Sequence, residues 1–239
     1  MWNDKFEVID FHSHILPSVD DGASDKEMSV KMLESLSSQG VDKVISTSHY
    51  YKFSEEVQSF LTHRDESLFR LETYIKEHDL FLPEIIPAAE VRMFPELWKE
   101  PLLDKLCIDG TKNILIEMPY DKWTEWMYSE IYALIARGYT PIMAHLERYI
   151  DRIPQKEIFT KLLHMDVVVQ INAESFEERS RRRFIKKLIK FGFPLVLGTD
   201  CHNMTTRRPH IDVAMKYIVK KYKEEYLERI MELGFELTK

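Results

Sequence analysis

Residues 8–22 read VIDFHSHILPSVDDG. Val8, Ile9 and Phe11 mark a short apolar run of the kind that forms a buried strand. His12 and His14 close it. Side chains alternate along a strand, so the two imidazoles point to one side, with Asp10 on that side one layer deeper. Asp20, Asp21 and Gly22 follow in the next loop. Metal-binding side chains therefore gather where a strand stops.

The same arrangement recurs along the chain. Candidate strands are 8–14, 41–49, 84–91, 113–119, 140–146, 167–173 and 194–202, several of them apolar at consecutive positions as in a sheet covered on both faces. Stretches of helical period lie between them, at 24–40, 54–78, 123–138 and 176–192, with two more at 209–221 and 223–233. In the first, Ser24 as N-cap with Glu27 three residues on reads as a capping box, and Gly40 as the residue just past the helix. About seven strand–helix units result, with no internal repeat or linker, so residues 1–239 are expected to form one domain. Strand–helix alternation predicts an α/β fold with a parallel sheet, closed as a barrel or open and doubly wound.

The strand ends favour closure. His12 and His14 end the first strand and His49 the second. Glu90 and Glu117 stand near the ends of the third and fourth, His145 ends the fifth, and Asp200 and His202 end the seventh. A barrel brings all those ends to one face, where active sites form, whereas an open sheet spreads them along an edge. A lone strand histidine is usually structural, but five of nine histidines falling at strand ends points to one shared site. His63, His78 and His164 fall in or beside helices and read as ordinary. With Asp21 the set reaches nine donors, too many for one ion and suited to two or three. Imidazole with carboxylate and no thiolate fits Mn, Fe or Zn. Paired ions clamp the attacking and leaving oxygens of an in-line phosphoryl displacement, so phosphoester hydrolysis is the expected chemistry.

The bulk numbers exclude several classes. Apolar residues make up 44% and charged residues 31%, an ordinary globular balance, and the net charge of −7 argues against a nucleic-acid partner. No apolar run reaches the ~18 residues of a membrane span, so membrane insertion is not expected. MWNDKFEVID has no apolar signal core. The two cysteines, Cys107 and Cys201, offer no disulfide framework, so a reducing cytoplasm is expected.

HSH at the first strand, TSH, AAE, IEM, AHLERY and TDCHN at later ones together resemble the polymerase and histidinol phosphatase (PHP) family. DDG after the first strand and ERY after AHL resemble one branch, the metal-dependent tyrosine-protein phosphatases of bacterial capsule and exopolysaccharide operons. The resemblance covers about residues 7–220. It implies a distorted (β/α)7 TIM-like barrel and a trinuclear site, with Mn the foremost metal. By motif, His12, His14, Glu90 and Asp200 would hold one ion. Glu90, Glu117 and His145 would hold a second, and Asp21, His49 and His202 a third. Spacing leaves Asp20 and Asp21 both open; the family pattern favours Asp21. The resemblance further implies a metal-bound hydroxide as nucleophile and, as substrate, a phosphotyrosine-bearing protein, the tail of a bacterial tyrosine kinase.

Arg148 in HLERY and Arg207 in TTRRPH are candidates for binding phosphoryl oxygens, with Arg208 an equal alternative to Arg207. Tyr50, Tyr51, Phe53, Trp123 and Trp126 follow strand ends and read either as a phosphotyrosine cleft or as local packing. Three rival readings stand beside this one. The first is a PHP-type phosphoesterase for a small metabolite such as histidinol phosphate or a nucleotide. The second is a non-catalytic metal-binding barrel. The third is an amidohydrolase-type barrel, disfavoured because no strand end carries a lysine. Cys201 to Arg207 also spells C-x5-R, the signature of cysteine-dependent phosphatases. The neighbouring Asp200 disfavours a thiolate, and the intervening HNMTT has no glycine to let backbone approach phosphate.

Overall fold

The computed structural model describes residues 6–239. Its strands are β1 (Ile9–Ser13), β2 (Lys43–Ser46), β3 (His49–Tyr50), β4 (Glu84–Pro87), β5 (Glu90–Arg92), β6 (Asn113–Glu117), β7 (Thr140–Met143), β8 (Val168–Asn172) and β9 (Leu195–Gly198). They pair in the orders β1-β2-β4 and β3-β5-β6-β7-β8-β9, parallel throughout. The strands β2 and β3 are lower and upper parts of one expected strand, and so are β4 and β5. Counted that way, the barrel has the seven staves that the sequence predicts.

Two places distort it. Between β4 and β6 the lower wall is open, and the segment 106–109 fills the gap: Ala89 N–H donates to Leu106 O, Asp109 N–H to Pro87 O and Ile108 N–H to Asn113 O. Between β1 and β9 the wall closes through side chains as well as backbone. Asp10 accepts from the Thr199 N–H at 2.8 Å and the Thr199 hydroxyl at 2.6 Å. Above them, Asp200 N–H donates to His12 O and His14 N–H to Cys201 O. Burial raises the Asp10 carboxyl to about 6 against the pull of these bonds.

Helices α1 (Lys26–Ser38), α2 (Val57–Glu77), α3 (Leu103–Leu106), α4 (Glu125–Ile135), α5 (Gln155–Leu162), α6 (Arg179–Phe191), α7 (Asp212–Tyr222) and α8 (Glu224–Glu236) accompany the strands. The expected capping box is corrected: Asp25, not Ser24, caps α1, accepting the Met28 N–H at 2.8 Å, while the Ser24 hydroxyl donates to Asp25. A carboxylate is the stronger acceptor at the positive end of a helix. The sequence reading did not name α3 or α5, which are short; no side chain caps either, and each buries only two residues.

Alternation along the staves explains where the site lies. Ile45, Ala88, Leu115, Ile142, Val168 and Val196 meet in one buried cluster, one from each of six staves. Further on, the same side of two of these strands turns polar, Leu115 leading to Glu117 and Val168 to Gln170 and then Asn172, while Asp200 follows just past β9. Below the cluster, Gly234 of α8 sits where a Cβ would come within 2.9 Å of the Phe11 ring.

Candidate metal centre

The C-terminal ends of the strands bring all nine sequence-predicted donors together. Four overlapping groups form, each with ligand atoms within 4.8 Å of one another: His14, Asp21, His49 and His202; His12, His14 and Asp200; His12, Glu90 and His145; and His49, Glu90 and Glu117. His12, His14, Glu90, Glu117, His145, Asp200 and His202 are buried. Asp21 stands at the mouth, its side chain 67% exposed.

Hydrogen bonds on the outer ring nitrogens aim the imidazoles inward. His12 Nδ1 lies 2.9 Å from Gln170 Oε1, His14 Nδ1 2.7 Å from Asp20 Oδ2, and His202 Nδ1 3.0 Å from Asp200 O. Each partner can only accept, so Nδ1 carries a proton and Nε2 faces the centre as a ligand atom. The same Asp20 oxygen accepts the His49 N–H at 2.8 Å. The two aspartates of DDG therefore divide the work: Asp20 positions His14 and His49, and Asp21 Oδ1 lies 3.4 and 3.3 Å from Nε2 of His49 and His202.

The spacing of the donors fits a cation. Four atoms converge: His12 Nε2, His14 Nε2, Glu90 Oε2 and Asp200 Oδ1. Their separations are 3.2 Å (His12–His14), 3.2 Å (His12–Glu90), 3.5 Å (His12–Asp200), 3.4 Å (His14–Glu90) and 3.4 Å (His14–Asp200). Ligands about 2.1 Å from one ion stand roughly 3.0–3.4 Å apart in octahedral or tetrahedral array. Two buried atoms that face the centre, Glu90 Oε2 and His202 Nε2, also make no hydrogen bond. Leaving such a group unsatisfied costs about 1–3 kcal/mol, and a bound cation removes that cost.

The electrostatics agree. Burial pushes the Glu90 and Asp200 carboxyls up, yet the His12 charge and hydrogen bonds from neighbouring imidazoles outweigh it and hold both well below the usual range. Burial pulls His12 and His14 down, yet carboxylates (Glu90 and Asp200 for His12, Asp20 foremost for His14) raise both. Ring protons thus stand where cations would. Burial and the His14 charge bring His202 down to about 3, leaving a neutral imidazole suited to ligation.

Several local features differ from the sequence expectation. Glu117 groups with His49 and Glu90 rather than with His145, because its Oε2 is drawn to the Arg92 guanidinium at 3.0 Å. His145 and Asp200 lie past their strands in the left-handed region, at φ of 34° and 53°. For residues with a Cβ this is strained, a condition that clusters at functional sites. The loops also need close backbone approach: a Cβ on Gly22 would meet His14 O at 2.2 Å, and one on Gly198 would meet His12 Cβ at 2.6 Å.

Around the donors stand three arginines. Arg148 Nη1 lies 2.8 Å and Arg207 Nη2 2.6 Å from the two oxygens of Asp200. Arg208 is exposed. The third, Arg92, was not foreseen, although it stands two residues after Glu90 on the same side of β5. Also unforeseen were Gln170 and Asn172. Gln170 Oε1 accepts the His145 N–H at 2.7 Å, and Asn172 Nδ2 donates to Asp200 at 3.0 Å. Their i, i+2 spacing in VVVQINA was the available signal. Residues of the ERY stretch have separate jobs. Glu147 accepts from Asn172 N–H and the Ser175 hydroxyl, Arg148 faces Asp200, and the Tyr149 hydroxyl is bonded to Met118 N–H and O at 2.9 Å each.

The aromatic set splits. Tyr50 and Trp123 are buried packing residues. Tyr51 stacks on His49 with centroids 5.1 Å apart, Phe53 is 93% exposed, and Trp126 lies in the first turn of α4. Tyr120, unforeseen, stands parallel to the His145 ring at 6.4 Å. Cys201 is fully buried in the main apolar cluster, and burial pushes its thiol well above the ordinary value, so C-x5-R forms no nucleophile here. No helix among the described residues is long and apolar enough to cross a membrane.

Comparison with known proteins agrees with the geometry. A family model described as capsular polysaccharide synthesis, CpsB/CapC, matches residues 8–233. Tyrosine-protein phosphatase YwqE of Bacillus subtilis (strain 168) is 29% identical over 224 residues, covering 91% of this chain and 86% of its own. Tyrosine-protein phosphatase CpsB of Streptococcus agalactiae serotype III (strain NEM316) is 27% identical over 234 residues, covering 91% and 92%. One solved structure comes from the work on YwqE of Bacillus subtilis and CpsB of Streptococcus pneumoniae, which are described as unique metal-dependent tyrosine phosphatases. It superposes with a TM-score of 0.83 at 26% identity over 97% of this chain and 96% of that one. A TatD family hydrolase of Entamoeba histolytica, at TM-score 0.55 and 12% identity, shares the fold. The chain therefore belongs to the CpsB/CapC family of capsular polysaccharide synthesis proteins.

Proposed function

We propose that this protein is a metal-dependent protein-tyrosine phosphatase of capsule or exopolysaccharide synthesis. The observation that carries the reading is the convergence of nine imidazole and carboxylate donors beside two arginines that share Asp200. The names of the relatives supply the substrate class, phosphotyrosine on protein.

His12, His14, Glu90 and Asp200 would hold one ion. Asp21, His49 and His202 would hold another with His14 at its edge, and Glu90 would complete a third place, with His49 and Glu117 on one side and His12 and His145 on the other. Five imidazoles with four carboxylates and no thiolate fit Mn²⁺, Fe²⁺ or Zn²⁺, and the family resemblance puts Mn²⁺ first among them. Such ions supply Lewis acidity toward phosphoryl oxygens and lower the pKa of water toward neutrality.

The chain's own groups do the rest. Arg148 and Arg207 each give one N–H edge to Asp200 and keep other donors for the oxygens of the transferring phosphoryl group. Gln170, Asn172 and Asp20 fix the rings and Asp200 so that nothing reorganises as charge develops. The departing phenol has a pKa of about 10, so the demand on a proton donor is modest. The substrate we propose is the phosphorylated tail of a bacterial tyrosine kinase, acted on in the cytoplasm.

The test is phosphate release from a phosphotyrosine peptide, a phosphoserine peptide and histidinol phosphate under the same Mn²⁺ supply. Preference for the phosphotyrosine peptide is expected. Faster release from histidinol phosphate would transfer the reading to a small-metabolite phosphoesterase.

A further inference from the structure

Beside the mouth of the metal centre lies a groove of about 430 Å³ that no step above uses. Lys52, Phe53, Phe94, Pro95, Glu100 and Pro101 are among its lining residues. It is built where two of the site's own staves run out. Lys52 follows Tyr51, whose ring stacks on His49. Phe94 comes two residues after Arg92, whose guanidinium meets Glu117.

The floor is firm and the rim is free. Phe94 is 6% exposed and packs on the buried Tyr50 ring at 6.4 Å, which in turn packs on Phe60 at 5.2 Å. The Lys52 ammonium spans the groove, reaching Glu56 at 3.0 Å and Glu100 at 3.4 Å. Phe53 also lines the groove, with 93% of its surface exposed. Apolar surface beside a pocket is available to a ligand, and covering it is favourable by about 25 cal/mol per Å².

We propose that this groove is a subsite for the polypeptide flanking the phosphotyrosine, taking an apolar side chain of the substrate between Phe53 and the Phe94–Pro95 floor. The inference rests on the phosphatase reading above. Continuity with the metal centre is what selects a substrate segment as occupant, since both walls of the groove continue the strands that carry His49 and Glu90. An extended chain advances about 3.3–3.6 Å per residue, so the residues flanking a bound phosphotyrosine are the part of the substrate that would lie along these walls. Aromatic-lined grooves are a recurring way of taking an extended peptide segment. The two lysines and two glutamates at the rim, Lys52, Lys99, Glu96 and Glu100, pair among themselves, so selection is by apolar contact rather than by charge.

The experiment compares Phe53→Ala with wild type, both loaded with Mn²⁺, on two substrates. One is p-nitrophenyl phosphate, which has nothing to place in the groove. The other is a phosphotyrosine peptide with leucine two residues to either side of the phosphotyrosine. The expected result is a fall of roughly tenfold in kcat/KM for the peptide, carried by KM, with p-nitrophenyl phosphate unchanged. Phe53→Leu should restore most of the loss. An unchanged peptide KM in an active Phe53→Ala enzyme overturns the groove and leaves the phosphatase reading intact. Equal losses on both substrates overturn it too, because Phe53 would then act on the centre itself. A wild type that releases phosphate from neither substrate removes the phosphatase reading and the groove with it.

Discussion

The lower and upper halves of the barrel interior are made by the same strands and obey opposite rules. Below, Ile45, Leu115, Ile142, Val168 and Val196 fill the space with carbon, and nothing there needs a partner. Above, two to four residues further along, Glu117, Gln170, Asn172 and Asp200 are as deeply buried and every one has a named polar neighbour. Burial stabilises the lower half directly, at about 25 cal/mol per Å². In the upper half burial costs free energy that hydrogen bonds only partly offset: Glu90 Oε2 and His202 Nε2 face the centre without making one. The difference teaches that the upper layer is organised for cations and the lower layer for the fold.

Substitutions in each half should therefore fail in different ways. The largest effect is expected from Glu90→Gln, since Glu90 lies beside His12, His14, His49 and His145. Losing its charge should lower kcat on a phosphotyrosine peptide by at least about a thousandfold. The same variant should show a much smaller rise in Tm on adding Mn²⁺ than wild type, because ligand-linked stabilisation follows affinity. Next comes Ile142→Ala in the lower cluster. It should cost about 2–5 kcal/mol of stability by urea denaturation of the Mn²⁺-loaded protein, while kcat per folded molecule stays near wild type. Loss of metal in that variant would break the separation between the halves. A smaller effect separates neighbours at the rim: Arg207→Ala should lower kcat/KM by about a hundredfold, and Arg208→Ala should change it less than about twofold. Equal losses would mean that the two arginines exchange roles.

Much of this contrast was readable beforehand. The i, i+2 placing of His12 and His14, and the recurrence of acids and imidazoles at strand ends, follow from strand alternation alone, and alternation survives in the structure. The seven staves were readable for the same reason. What escaped depends on contacts between distant segments. Arg92 gains its place only because β5 lies beside β6 and Glu117. Gln170 matters because β8 meets both β7 and the His12 ring across the interior. The split between Asp20 and Asp21 is set by the fold of the DDG loop against His14, where Gly22 has no room for a Cβ. Left-handed His145 and Asp200 could not be read from propensity alone: histidine and aspartate enter that region more often than most residues, yet only a small share of them do. The cap on α1 moved by one residue because two polar side chains, Ser24 and Asp25, stood side by side and the charged one won.

The central claim is that divalent ions held by the buried donors, and no thiol, carry phosphotyrosine hydrolysis. The most direct measurement follows phosphate release from a phosphotyrosine peptide by chelated protein as Mn²⁺ is titrated back, with bound metal per chain counted in parallel and a thiol-alkylated sample run alongside. The account predicts no activity after chelation, recovery that saturates at two or three ions per chain, and no effect of alkylation. Activity that survives chelation, or that alkylation abolishes, would contradict it.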